Sequence, residues 1–231
     1  MVQVNNTPIT LRIKFFKKGN LQYISHLDLV RTMMKIIVRS KLPLWYTEGF
    51  NPKPKINFAA PLSTGVESLC EFMDVRLTER ISPEDAIARL NANMTEEMQV
   101  TDAYYPDKKM TALAWMAYSI LVDSPYADES LAARCREVLS RDELPILKKT
   151  KSGEAVVDIK PLIKSADVSF VGGKIAMTLT LSADQSAFLN PEYIVKLLRA
   201  ECGLLSSPDL MSETYTVMRT NAYCSDMTVF R

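Results

Sequence analysis

The chain has 231 residues, 47% of them apolar and 24% charged, with a net charge of +1. That length suits two domains of about 100 residues each, and that apolar share can bury a core, which excludes a disordered chain. No apolar run approaches the roughly 20 residues that cross a bilayer, and no signal-peptide pattern opens the chain, so a soluble cytoplasmic protein with no membrane partner is expected.

In chain order, residues 10–16 ("TLRIKFF") alternate apolar and polar as a half-buried strand does. A Lys-Lys-Gly-Asn turn follows. Ser25 then reads as an N-cap with Asp28 three residues on, opening a helix over 26–40 that Pro43 ends. Leu27, Val30, Met34, Ile37 and Val38 are taken as its apolar face, with Asp28, Arg31, Lys35 and Arg39 opposite. "KINFAAPL" and "CEFMDVRL" read as strands. "SPEDAIARLNANM" starts a helix with Ser82 as cap and Pro83 at the first helical position, and "MQVTDAYY" closes the set as a strand. The order is βαββαβ.

The same order recurs beyond residue 110. "LAWMAYSILV" reads as a strand, "DESLAARCREVLS" as a helix, and "AVVDIKPLI" and "KIAMTLTLS" as strands, with Gly172 and Gly173 marking a hairpin. "NPEYIVKLLRAECG" is a helix with Asn190 as cap and Gly203 at its C-terminal end, and "SETYTVMRTNAYC" is a last strand. The expectation is an α+β chain. It would hold two tandem ferredoxin-like domains, residues 1–110 and 111–231, each an antiparallel sheet with helices on one face.

Several chemistries have little support. Cys70, Cys135, Cys202 and Cys224 are scattered, no CxxC occurs, and His26 is the single histidine, so no metal site is expected and the cysteines read as small buried hydrophobes. Neither GxGxxG nor GxxxxGK[ST] is present, and no cofactor is expected. Charge is uneven. Between Arg12 and Lys55 there are ten Lys/Arg (Arg12, Lys14, Lys17, Lys18, Arg31, Lys35, Arg39, Lys41, Lys53 and Lys55) against Asp28 and Glu48. Such a split points to one basic face for an anionic partner.

The stretch from Tyr23 to Leu62 concentrates the candidates. His26 falls in the first turn of a helix, where a neutral imidazole could act as a general base, stack on a nucleobase, or simply bond a neighbouring loop. Ser25 and Asp28 are too near it in sequence for a convincing triad. In "TEGFNPKPK", Gly49 can turn the chain while Pro52 and Pro54 push Asn51 and Lys53 toward extended geometry. A stiff loop presenting Lys53 and Lys55 suits a phosphate-rich ligand such as RNA. Phe50 is either a core anchor or an exposed stacking ring, and Trp45 and Tyr46 share that ambiguity. The candidate binding set is Ser25, His26, Arg31, Lys35, Phe50, Asn51, Lys53 and Lys55, with His26 the one catalytic candidate.

"LRIKFFKKGNLQYISHLDLVR", then "YTEGFNPKPKINFAAPLSTGVES" and "EFMDVRL", resembles the radical-SAM-linked family, a bacterial domain of unknown function. The family pattern maps onto Ser25, His26, Leu27 and Asp28, then Gly49, Phe50, Asn51, Pro52, Pro54 and Lys55. Lys53 stands where the family often has histidine. Members occur beside, or fused to, a radical SAM protein, and this chain has no CxxxCxxC, so the resemblance implies a free-standing accessory partner. A looser architectural likeness links tandem ferredoxin-like folds with an early histidine to CRISPR repeat-processing endoribonucleases, but their glycine-rich C-terminal loop has no counterpart in "MRTNAYCSDMTVFR". Three functions follow as expectations. The first is a non-catalytic accessory that binds or presents RNA or another anionic macromolecule. The second is a metal-independent RNA-processing enzyme using His26, and the third is a protein-interaction module.

Overall fold

The computed structural model describes residues 7–150, 153–184, 186–209 and 211–231. The chain divides into two compact units, one running to Ala112 and including Arg231, the other Leu113–Phe230. Both are mixed α and β, with antiparallel strand pairs and two helices each.

The first unit is built from β1 (Ile9–Lys17), α1 (His26–Arg39), β2 (Ile56–Phe58), β3 (Val66–Leu77), α2 (Pro83–Asn91) and β4 (Met98–Tyr104). Its strands lie in the order β4-β1-β3-β2. Strand alternation sets its two faces. Leu11 and Ile13 of β1 stand opposite Val75 and Met73 of β3 and form one core with Leu29, Met33, Ile36 and Ile37 of α1 and Ala86 and Leu90 of α2. Both helices therefore cover the same face. On the other face Arg12 meets Asp74 directly across the strands in a two-pronged ion pair of 2.7 and 3.0 Å, with Tyr104 opposite Arg12 on its other side. Arg231 lies over the Tyr104 ring and pairs with Asp102 at 3.5 Å.

Local chemistry fixes the helix starts. Ser25 Oγ accepts from Asp28 N at 3.1 Å and donates to Asp28 Oδ2 at 2.7 Å, so one hydroxyl both caps α1 and orients its first-turn acid. Ser25→Ala is expected to lower stability by about 1 kcal/mol, measured as a shifted urea midpoint with unchanged slope. Ser82 caps α2 the same way, with Pro83 in the first turn. α1 ends because Ser40 closes onto Ile36 O and Lys41 turns left-handed at φ 53°, two residues ahead of Pro43.

The second unit runs β5 (Leu113–Asp123), α3 (Glu129–Ser140), β6 (Pro145–Thr150), β7 (Gly153–Asp158), β8 (Ile163–Val171), β9 (Lys174–Ser182), α4 (Glu192–Cys202) and β10 (Thr214–Cys224). Its main strands are ordered β10-β5-β9-β8, and β6 and β7 form a separate two-stranded hairpin. Residues 155–163, read from sequence as one strand, are the end of β7, a helical turn at Lys160–Leu162 and the start of β8. β8 turns into β9 through Gly172 and Gly173, whose φ of 58° and 79° give the doubly left-handed geometry such a tight hairpin requires. Asn190, expected as the cap of α4, stands one residue ahead of the N-cap Pro191 and accepts from Glu192 N at 3.0 Å. Gly203 ends that helix at φ 78°.

The cysteines depart from the uniform buried reading. Cys202 is half-buried, and its Sγ lies 3.4 Å from that of Cys135. The contact draws the Cys202 thiol down to about 7 and, with burial, pushes Cys135 up. Alkylation by iodoacetamide at pH 8 is therefore expected to reach Cys202 first, with a rate rising through about pH 7, as peptide mapping over time would show. Equal labelling of all four thiols in the folded protein would contradict this.

Candidate nucleic-acid interface

The core face of α1 is not the one its sequence pattern selects. The buried residues are Leu29, Met33, Ile36 and Ile37, while Leu27 and Val38 stay 57% and 48% exposed. Leu27, Val30, Met34 and Val38 make a second apolar stripe, exposed at Leu27 and Val38 and half-buried at Val30 and Met34, the latter also packed against the core. Together with Pro54 they floor a groove of about 630 Å³, whose cations are Arg31, Lys35, Arg39 and Lys53. The sequence pattern groups Leu27, Val30, Met34, Ile37 and Val38 on one face, and of these only Ile37 is buried.

The loop that forms the second wall is held by its backbone. Trp45 N donates to Arg76 O at 2.8 Å and Lys55 N to Trp45 O at 3.0 Å, fastening the loop beside β3. Thr47 N donates to Lys53 O at 2.9 Å and Lys53 N to Thr47 Oγ1 at 3.1 Å, which closes a five-residue tip, 48–52. Gly49 at φ 120° makes that turn possible. Pro54 is buried, whereas Asn51, Lys53 and Lys55 point outward. Phe50 is wholly exposed on the tip, so of the two readings open for it the structure selects the bare ring. Trp45 is half-buried and Tyr46 exposed.

His26 is positioned differently. It opens α1 with its ring edge-on to Phe58, centroids 5.5 Å apart, and Phe58 meets Phe15 in the same manner at 6.4 Å. Its Nδ1 is buried without a hydrogen-bond partner among the described residues, and the ring is not part of the groove lining. Ser25 is engaged as the cap. Arg31 pairs with Asp28 at 3.2 Å, both well exposed. The Ser25 hydroxyl, then Arg31, hold the Asp28 carboxyl below the usual carboxylate range. The structure thus gathers Arg31, Lys35 and Lys53 around one groove, adds Arg39 to them, and places Phe50, Asn51 and Lys55 on the adjoining loop.

The basic segment is not one continuous face. Arg12 and Lys17 are buried, the first against Asp74 and the second donating to Leu21 O at 2.9 Å. Arg31, Lys35, Arg39, Lys41, Lys53 and Lys55 are the exposed members, all on α1 and the chain that follows it. Among the described residues no group of three metal-ligating side chains occurs, and no helix is long and apolar enough to cross a membrane.

A family model of uncharacterized proteins conserved in bacteria (DUF2344) matches residues 10–191. The chain belongs to that family. No curated protein matches this DUF2344 chain. Among solved structures it is similar to a chain of a Cbf5-Nop10-Gar1 complex, at 13% identity and a TM-score of 0.48 over 92% of this chain and 48% of that one. It thus spans about half the length of that chain. An unknown protein from Galdieria sulphuraria matches at 9% identity and a TM-score of 0.26, over 92% of this chain and 99% of that one.

Proposed function

We propose that this chain is a non-catalytic accessory protein of the cytoplasm that binds an anionic macromolecular substrate, RNA foremost, and presents it to a partner enzyme. The motif resemblance makes that partner a radical SAM protein. The scaffold in this reading is two tandem ferredoxin-like domains, residues 1–110 and 111–231, supported by the shared strand order of the two units. The observation that carries the proposal is the set of four cations lining one groove, Lys35, Arg39, Lys53 and Arg31, the last also paired with Asp28, with the exposed Phe50 on the adjoining loop. Lone surface lysines attract anions weakly. A row held by a helix and a stapled loop is pre-organised, so less entropy is lost on binding.

A fluorescence titration of cellular RNA fragments at two salt concentrations tests it. Affinity must fall as salt rises, because bound counterions are released. Lys53→Ala with Lys55→Ala should flatten the salt slope by up to about two contacts and weaken all sequences alike. No salt-dependent binding at low salt would remove the proposal and leave a protein-interaction module, which the apolar floor of the groove favours next. An RNA-processing enzyme using His26 has less support, since that ring packs on Phe58 away from the groove lining. RNA cleavage that is lost in His26→Ala would restore it.

A further inference from the structure

The geometry points to single-stranded RNA, with unpaired bases, as the form that this groove takes; the inference rests on the RNA reading above. The groove combines two chemistries that a duplex cannot satisfy together. Its rim is cationic, through Arg31, Lys35, Arg39 and Lys53, and any RNA would meet that. Its floor is apolar, through Leu27, Val30, Met34, Val38 and Pro54, and needs an apolar surface to cover it. A-form duplexes turn phosphates and sugars outward, stack the base faces on one another inside the helix, and offer only base edges and 2′-hydroxyls in their grooves. Such a ligand would neutralise the rim and leave the floor against water. A single strand carries both parts on one chain, with phosphates for the rim and flat base faces for the floor.

Phe50 adds an independent reason. Its ring has no packing role to explain it, being wholly exposed on a tip closed by the Thr47–Lys53 bonds. It stands three residues from Lys53, within about 10 Å of chain. An aromatic face left bare on a loop that also carries lysines is a feature by which proteins bind single strands without sequence preference. The stripe from Leu27 to Val38 runs about 16 Å along the helix axis, long enough to take more than one splayed base of a single strand.

The test is fluorescence anisotropy with a labelled 12-nucleotide oligouridine, the same strand annealed to its complement, and a competing acidic amphipathic peptide. The wild-type protein is expected to bind the single strand at least tenfold more tightly than the duplex. Phe50→Ala should weaken single-strand binding by about 5- to 150-fold and leave the duplex and the melting curve unchanged. Phe50→Trp should retain the preference, which separates stacking from any general disturbance of the loop. Duplex bound as tightly as single strand, or a Phe50→Ala variant that binds like wild type, overturns this inference and leaves the RNA reading standing. Binding of neither RNA form overturns both. Displacement of the single strand by the acidic peptide, with tighter affinity than the RNA, would make the groove a protein dock and likewise overturn the inference.

Discussion

Asp74→Ala is expected to destabilise the protein by about 3–5 kcal/mol, read as a large fall in the denaturation midpoint. Asp74 is the two-pronged partner of Arg12, whose side chain is 0% exposed while that of Asp74 is 13% exposed. An exposed pair would be worth at most about 1 kcal/mol, because water solvates either ion once the other is gone. Here Arg12 sits on a central strand between β3 and β4, and losing the carboxylate takes its anionic partner from a buried guanidinium. The penalty comes from desolvation rather than from the strength of the pair. Replacing Arg12 and Asp74 together, with Met and Leu, should therefore recover most of what the single change loses. A loss under about 1 kcal/mol for Asp74→Ala would show that water reaches Arg12 easily.

Met33→Ala is expected to remove about 2–5 kcal/mol, the range for a large core side chain whose site cannot collapse. Leu27→Ser and Val38→Ser, on the same helix, should each stay within about 0.5 kcal/mol of wild type. Met33 is fully buried among Leu29, Ile37 and the first sheet, whereas Leu27 and Val38 face the groove. Chemical denaturation of the three variants decides the matter. If Leu27→Ser proved as damaging as Met33→Ala, the outer stripe would be core after all.

That contrast explains what could be read from sequence and what could not. The limits of α1 were legible because Ser25, Asp28 and Pro43 are local signals, and the cap geometry agrees with them. Its facing was not, because α1 is apolar on two sides, and spacing alone does not say which side meets the sheet. The stiffness of 49–55 was legible in Gly49, Pro52 and Pro54. The exposure of Phe50 was not, since an aromatic ring in a turn packs inward or outward according to neighbours distant in sequence. The β6–β7 hairpin is hard to read from sequence because the apolar run after Gly153 carries the stronger strand signal. Pro161, which has no N–H to donate, marks where that run breaks. The gathering of Arg39 with Lys53, and of Cys135 with Cys202, depends on tertiary packing that no local signal records.

The connection from first helix to second strand is where each unit carries its additional chain. In the first unit it is the stapled loop between α1 and β2. In the second it is β6–β7, closed at its base by Ile159 N to Leu144 O at 3.0 Å and by Asp158 accepting from Leu144 N. Neither excursion interrupts the strand order that surrounds it. This slot is thus a place where the chain can lengthen, shorten or change chemistry without new solutions to the core.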